Sequence, residues 1–373
     1  MKTKILTLVT LAFLGLSTAN AQVGIGTENP HPSAILEVDV TSLTDKKGFL
    51  PPRMDNAERD AISSPAPGLT IYNTDANCLQ WWNNSYWFDV CGNTPIAGTG
   101  GDNVYTTEIN NILYRVHVFE NSGTFDVIYE GDLPNGEIDY LIVAGGGSGG
   151  IAGAHGGGGG GGAGGVIENS TIASVGSYNI TIGQGGASVS NNHTPGNNGG
   201  DSEAFGETAI GGGAGGSGNQ GQATSGGSGG GAGTISTSEN GVGATGTTGQ
   251  GNDGANALAP NGGGGGGAGT AGNSPADIST AATGGDGLSS AITGTPTFYA
   301  GGGAGSGPTD SGAGATAISP AIGVGGSGGG GGLGSVDGED GKGGGGAGGL
   351  TNGTPSGRGG NGIVIIRYPL TFP

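Results

Sequence analysis

The stretch IDYLIVAGGGSGGIAGAHGGGGGGGAGGV, residues 138–166, decides the fold. A strand-like run of seven residues passes directly into glycine, and from there to Val166 the one large apolar residue is Ile151. The same composition continues far beyond it: residues 145–362 hold 83 of the chain's 95 glycines. Glycine brings no side chain to a core and loses the most conformational freedom on ordering. Ordering a segment of this kind costs roughly 1–2 kcal/mol per residue. Val, Ile, Leu, Phe and Tyr together number 25 of its 218 residues, a composition that rarely buries enough surface to offset such a cost. The segment is therefore either a disordered tract or a structure held by its backbone, with almost every N–H and C=O partnered and chains in close contact.

Ordinary strands frame the glycine. Residues 113–119 (LYRVHVF) lead through ENSG into residues 124–129 (TFDVIY), which predicts a hairpin. Residues 138–144 form a further strand, 177–183 alternate cleanly, and 362–368 (GIVIIRY) read as a buried strand. Framing strands thus occupy 112–144 and 363–368, with the glycine-rich region, 145–362, between them. Near-pure glycine runs recur at 156–162, 211–213, 229–231, 262–267, 301–303, 328–332 and 343–346, several followed by Ala-Gly. The segments between them, rich in Ser, Thr, Asn and Pro, read as loops of uneven length. That spacing speaks against a regular solenoid, and proline is too sparse for collagen. The ordered alternative is a set of extended glycine chains in the left-handed threefold conformation, packed side by side. Ala and Ser would then sit where a neighbour is missing or a small pocket exists. On this reading Gly159 is packed between chains, whereas Gly196, in the polar segment 191–200, is a free loop position.

The first residues have the pattern of a secretory signal peptide, 1–21. Lys2 and Lys4 precede an apolar run at 5–16, and Ala19-Asn20-Ala21 marks cleavage between Ala21 and Gln22. No later run approaches the roughly 18 apolar residues of a membrane helix, so no membrane span is expected. The formal charge of −19 repels phosphate backbones, which argues against nucleic acid as a partner. Cys78 and Cys91 are the only cysteines, and an even count in an exported chain reads as a disulfide.

Residues 22–97 read as a small folded module ahead of a glycine-rich domain at 98–373. Residues 34–38 and 68–74 are strands, and LQWWNNSYWFDV between the cysteines is a hairpin turning at Asn83-Asn84-Ser85. Trp81, Trp82, Tyr86 and Trp87 have two readings. They are the bulky core of a small stapled unit, or an aromatic platform for sugar rings.

Two resemblances follow from these residues. VGIGT, KGFLPPRM, ERDAI and CLQWW…NSYW, in that order, resemble a module at the front of many secreted bacterial surface proteins, often ahead of fibre-like or tail-spike-like regions. It implies presentation or assembly, and no catalytic residue comes with it. YRVHVFENSGTF, EIDYLIVAGGGSGG, GSYNITIGQGG and GGNGIVIIRYP resemble the glycine-rich domain of bacterial secreted and phage-tail proteins. That resemblance implies bundled polyglycine II helices on a small β framework, with variable loops at the tip as receptor contacts. The expected fold is mainly β and irregular: a disulfide-closed β module followed by a β-framed bundle.

A search for chemistry finds no enzyme. In so much glycine, G-x-G-x-x-G and G-x-S-x-G matches arise by chance, and none joins a strand to a helix. His31, His117, His155 and His193 show no metal-ligand spacing; His117 reads as a half-exposed strand residue and His193 as solvated. Asp337-Gly338-Glu339-Asp340 lacks the order of a calcium loop and reads as a solvated acidic turn. No cofactor or metal is expected. The chain reads as a secreted, non-catalytic surface protein for adhesion or recognition, with a cell-surface glycan or protein receptor as partner and its oligomeric state left open. The alternatives are an ice- or surface-binding protein and a purely structural matrix or spacer component.

Overall fold

The computed structural model describes residues 22–41, 44–91, 95–131, 137–153, 156–236, 238–278, 282–307, 337–349 and 355–370. The expected leader, His155 and the glycine run at 328–332 lie outside them. The chain divides into two compact units, Met1–Cys91 and Gly92–Pro373.

In the first unit, β1 (Val23–Ile25) and β2 (Leu36–Val38) pair in parallel. A four-stranded sheet follows, in the order β3 (Arg53–Met54), β4 (Thr70–Asn73), β5 (Cys78–Trp82), β6 (Trp87–Asp89). The short helix α1 (Asn56–Asp60) opens with a capping box: the Asp55 side chain accepts from the N–H of Glu58, whose carboxylate accepts from the N–H of Asp55. The expected β5–β6 hairpin is formed, with Trp81 opposite Phe88 and Trp82 opposite Trp87. Its turn is held by Asn83 Oδ1, which accepts from the N–H groups of Ser85 and Tyr86 at 2.9 Å each. Cys78 and Cys91 are joined by a disulfide. Among the described residues of this unit Ile71 is the one large aliphatic side chain that is buried. Beside it the interior holds Pro51, the disulfide at Cys78 and a polar group: Asn73 donates to Gln80 at 3.0 Å, and Arg59 donates to the same Gln80 oxygen at 3.1 Å.

The second unit holds β7 (Ala97–Thr99), β8 (Asn103–Ile109), β9 (Ile112–Phe119), β10 (Gly123–Tyr129), β11 (Glu137–Val143), β12 (Val166–Ile172) and β13 (Gly176–Ile180). The hairpins β14 (Ser202–Ala204) with β15 (Glu207–Ala209) and β16 (Leu288–Ser290) with β17 (Thr297–Tyr299) follow, and β18 (Ile363–Pro369) closes the fold. A five-stranded antiparallel sheet, β12-β11-β18-β9-β8, packs on a three-stranded one, β13-β10-β7. Phe119, Phe125, Val127, Ile138, Ile142 and Ile366 fill the space between them. The opposite faces of β11 and β18 are buried too, against Ile292 and Tyr299. That double burial is why 141–143 and 363–366 are continuously apolar rather than alternating.

The expected hairpin across 113–129 does not form. β9 pairs with β8 and β18, while β10 pairs with β13 and β7 in the other sheet. The Asp102 carboxylate takes the N–H groups of Glu120 and Asn121, at 2.8 and 2.9 Å, and so turns the chain out of the β9 sheet. The hairpin that does form, β8–β9, turns at Asn110-Asn111, both with positive φ (52° and 64°), as a two-residue hairpin loop requires.

β11, β12 and β18 run straight into glycine without losing register. Val143 faces Val166 in the sheet, and beyond it Ala144, Gly147, Gly150 and Gly153 donate to the carbonyls of Gly165, Gly162, Gly159 and Gly156. Val143 also faces Ile363, and Gly146 and Gly149 donate to Gly360 and Gly357. One residue in three now bonds a given neighbour. The remaining set, Gly145, Ser148 and Ile151, bonds a third chain at Gly200, Asn197 and Thr194. The ladder of a sheet has become a lattice.

Residues 156–165 form its central chain. Gly159, Gly162 and Gly165 donate to carbonyls in 210–216; Gly157, Gly160 and Ala163 donate to 260–266; Gly161 and Gly164 donate to Gly346 and Gly343. Its carbonyls accept in the same threefold order from 144–153, from Ser228, Gly231 and Thr234, and from Gly303 and Ser306. Six chains surround one. A Cβ placed on any glycine from 157 to 162 would lie closer than 3.0 Å to a neighbouring carbonyl oxygen, so only glycine fits. Where the last neighbour is out of reach a hydroxyl intervenes: Ser306 Oγ accepts from Gly158 at 3.0 Å and donates to Gly349 at 2.9 Å.

Within the segment 191–200, residues 194–200 are one of these chains, which corrects the reading of Gly196 as a loop position. The N–H of Gly196 bonds Gly215 at 2.9 Å, and a Cβ there would meet the Ser148 carbonyl. Its asparagines have a place in the lattice. On the outermost chains, which lack a neighbour on one side, side chains take the free N–H groups. Asn198 accepts from Ala214, Asn256 from Gly243, Asp253 from Gly246 and Asn361 from Gly185, all at 2.8–2.9 Å.

Candidate functional site

One end of the lattice is occupied by the β sheets. At the other end its turns gather, because chains that leave the sheets must reverse there to return. The backbone bonds place these turns together: Gly218 to Ile151, Asn219 to Thr234, Thr234 to Gly157 and Gly157 to Pro260. His193 joins them, with Nδ1 3.3 Å from the Gly218 carbonyl. It is half-buried at φ 60° rather than free in a polar loop. Ile235, Glu239 and Asn240 are exposed around this end. The sequence shows which turns are long, but only the pairing of distant chains shows which of them meet.

The aromatic hairpin presents a different surface. Trp81 is 38% exposed, and Trp82, Tyr86 and Trp87 are half-buried. Trp81 packs on Phe88 with ring centres 5.3 Å apart, and Trp82 meets Trp87 edge-on at 5.7 Å. Burial raises the Tyr86 hydroxyl above its ordinary range, against the opposing hydrogen bond from Asn83. Three of the four rings thus enter two cross-strand pairs, Trp81 with Phe88 and Trp82 with Trp87.

His117 is buried rather than half-exposed. Its Nδ1 lies 2.7 Å from the Gly100 carbonyl and its Nε2 3.0 Å from the Tyr368 hydroxyl, with the Tyr368 ring stacked beside it. Tyr368 in turn accepts from the N–H of Gly98 at 3.1 Å. Burial pushes the imidazole below its usual value of 6.5. The cluster ties β9, β18 and β7 together and is closed to solvent, which makes it a structural lock.

The acidic turn is not simply solvated. Arg358 forks onto Asp340 at 2.8 and 2.6 Å and approaches Asp337 at 3.5 Å, so a guanidinium stands where a cation would. That partner holds the Asp340 carboxyl below the usual range. Sequence reasoning missed Phe205, at φ 53° in the β14–β15 turn. Its ring meets Tyr140 at 5.0 Å and Tyr178 at 5.2 Å, beside a shallow concavity that Glu203 and Glu207 share. Burial, with Glu207 alongside, pushes Tyr140 up to about 12. The signal available was Phe-Gly between two short alternating runs.

No helix among the described residues is long and apolar enough to cross a membrane. Residues 24–111 match a family described as a phage tail-like trimerisation region. No curated protein matches the chain. Residues 120–369 match the glycine-rich domain family, from the turn between β9 and β10 through the closing strand. With the greater part of its length in that match, and a β framework that passes in register into a glycine lattice, the chain belongs to the glycine-rich domain family.

Proposed function

We propose that this protein is a secreted, non-catalytic scaffold that presents the turn end of its glycine lattice for adhesion or recognition. The lattice chains are read as polyglycine II helices. The observation that carries this is the threefold order of hydrogen bonds along 156–165, each residue in turn addressing a different neighbour. A left-handed helix with three residues per turn directs its N–H and C=O groups in that way. Such a bundle is stiff without a hydrophobic core, and it fixes the turns carrying His193, Asn219, Ile235 and Asn240 at one end. The match to a phage tail-like trimerisation region supports a trimer as the working form, with several copies of the turn end presented together. Glycan or protein receptors on a cell surface are the partners proposed.

Binding of the exported protein to a glycan array and to intact cells tests this reading. Signal that is lost when the 234–241 turn is replaced by a short Gly-Ser link supports it. Thermal hysteresis without receptor binding would assign an ice-binding role instead, and neither signal would leave a spacer.

A further inference from the structure

The first 29 residues after the expected cleavage point contain no buried residue among those described, yet they form two paired strands. β1 and β2 are held in parallel register, Val23 opposite Leu36 and Ile25 opposite Val38. Flanking bonds extend the pairing: Val23 N–H to the Ile35 carbonyl and Asp39 N–H to the Ile25 carbonyl, both 2.8 Å. The Gln22 side chain donates to Ala34 at 2.9 Å. Gly26, at φ 83°, allows a close approach of the backbone to the Asp39 carbonyl.

Side chains alternate across a strand, so this register places Val23, Ile25, Leu36 and Val38 on one face and Gly24 and Glu37 on the other. Glu37 is engaged by the N–H of His31. The apolar face is open: Ile25 is 55% and Leu36 52% exposed. An isolated two-stranded ribbon is marginal in water, and a unit whose described residues bury one large aliphatic side chain, Ile71, has little core of its own to hold it. Something must cover this face.

We infer that the face made by Val23, Ile25, Leu36 and Val38 is covered by the same face of two further copies of this chain, so that three ribbons share one apolar core around a threefold axis. The occupant follows from the match to a trimerisation region, which begins at residue 24, within β1 itself. The inference rests on the trimeric reading above and adds to it the residues that make the contact. The exposed Leu79 and Trp81 on the four-stranded sheet are assigned no part in it.

The test is the mass of the full exported chain by sedimentation equilibrium, for the wild type, for the double variant Ile25→Glu with Leu36→Glu, and for Trp81→Glu. A trimeric wild type, a threefold fall in mass for the double variant and an unchanged Trp81→Glu would support the inference. A trimeric wild type with a double variant that is still trimeric would overturn the ribbon as the contact and leave the trimer standing. A monomeric wild type would overturn both. Hydroxyl-radical labelling of the wild type covers the case in which the double variant does not fold. Labelling of Leu36 below that of Leu288, a leucine 40% exposed in the second unit against 52% for Leu36 in the single chain, supports the shared core, and labelling of Leu36 equal to or above that of Leu288 overturns it.

Discussion

The N–H of Gly159 bonds the carbonyl of Gly216 at 2.7 Å across 57 positions of sequence, while the next residue, Gly160, bonds Gly263 on a different chain. Successive residues therefore address successive neighbours, and each glycine is needed because another backbone occupies the space of its Cβ. Gly159→Val sets a side chain against the Gly231 carbonyl. Overpacking and broken bonds together should lower stability by about 3 kcal/mol or more. Gly123, in β10, has only Phe119 near, at 3.9 Å, and Gly123→Val should stay within about 0.5 kcal/mol. Gly196→Val should resemble Gly159→Val. Paired melting curves decide it, and equal melting temperatures for Gly159→Val and Gly123→Val would contradict the packing.

Buried serines in the lattice should behave differently according to their partners. Ser306→Ala strands the N–H of Gly158 and should cost about 1–3 kcal/mol. Ser217 and Ser228 are buried with hydroxyls that have no partner, so alanine at either position should be neutral or stabilising. Chemical denaturation of the three variants checks this. A cost at Ser217 equal to that at Ser306 would show that the relay through the Ser306 hydroxyl is unimportant.

The disulfide closes a separation of 13 residues and should contribute about 3 kcal/mol to the first unit by chain-entropy reasoning. Reduction should therefore shift an early melting transition and leave the transition of the glycine-rich unit in place. Two reactive thiols in the freshly exported protein, or a single transition that moves as a whole, would contradict this.

His117 gives a pH dependence of defined sign. Its imidazole is held neutral by burial, so its pKa in the folded protein lies below the unfolded value of 6.5. The unfolded chain then binds the extra proton first, and stability present above pH 6.5 is lost as the pH falls below it. Tyr368 and Arg115 are the other titratable groups acting on it. His117→Gln keeps a donor and an acceptor but does not titrate. The wild-type melting temperature should fall more steeply than that of His117→Gln between pH 6.5 and about 5, and parallel slopes would remove His117 as the cause.

Much of the framework is visible in the sequence. The strands around 138–144 and 363–368 stand out because burial on both faces demands unbroken apolar runs, and the Asn83-Asn84-Ser85 turn and the paired cysteines are local signals. The misread hairpin at 113–129 shows the limit. Adjacent strands joined by a turn-like ENSG separate because Asp102, 18 positions before Glu120, captures that turn. The segment 191–200 looks like a loop because its asparagines are polar, yet the side chains of Asn197 and Asn198 bond backbone groups of Ala187 and Ala214 at the lattice edge. The ring pairs of the aromatic hairpin, Trp81 with Phe88 and Trp82 with Trp87, follow from the strand register rather than from composition. The start of the short helix is legible in the sequence as the D-x-x-E capping box of Asp55 and Glu58.

Hydrogen exchange resolved at single amides of 157–165 and 262–267 tests the lattice most directly. Each of the N–H groups in 157–165 is bonded, to a backbone carbonyl or, for Gly158, to Ser306 Oγ, with burial throughout that stretch. Protection there should approach that of Leu141 and Ile365 in the central sheet strands, since the sheet register continues into the glycine chains. Exchange at free-peptide rates in those runs, beside a protected β framework, would contradict the lattice and restore the disordered tract.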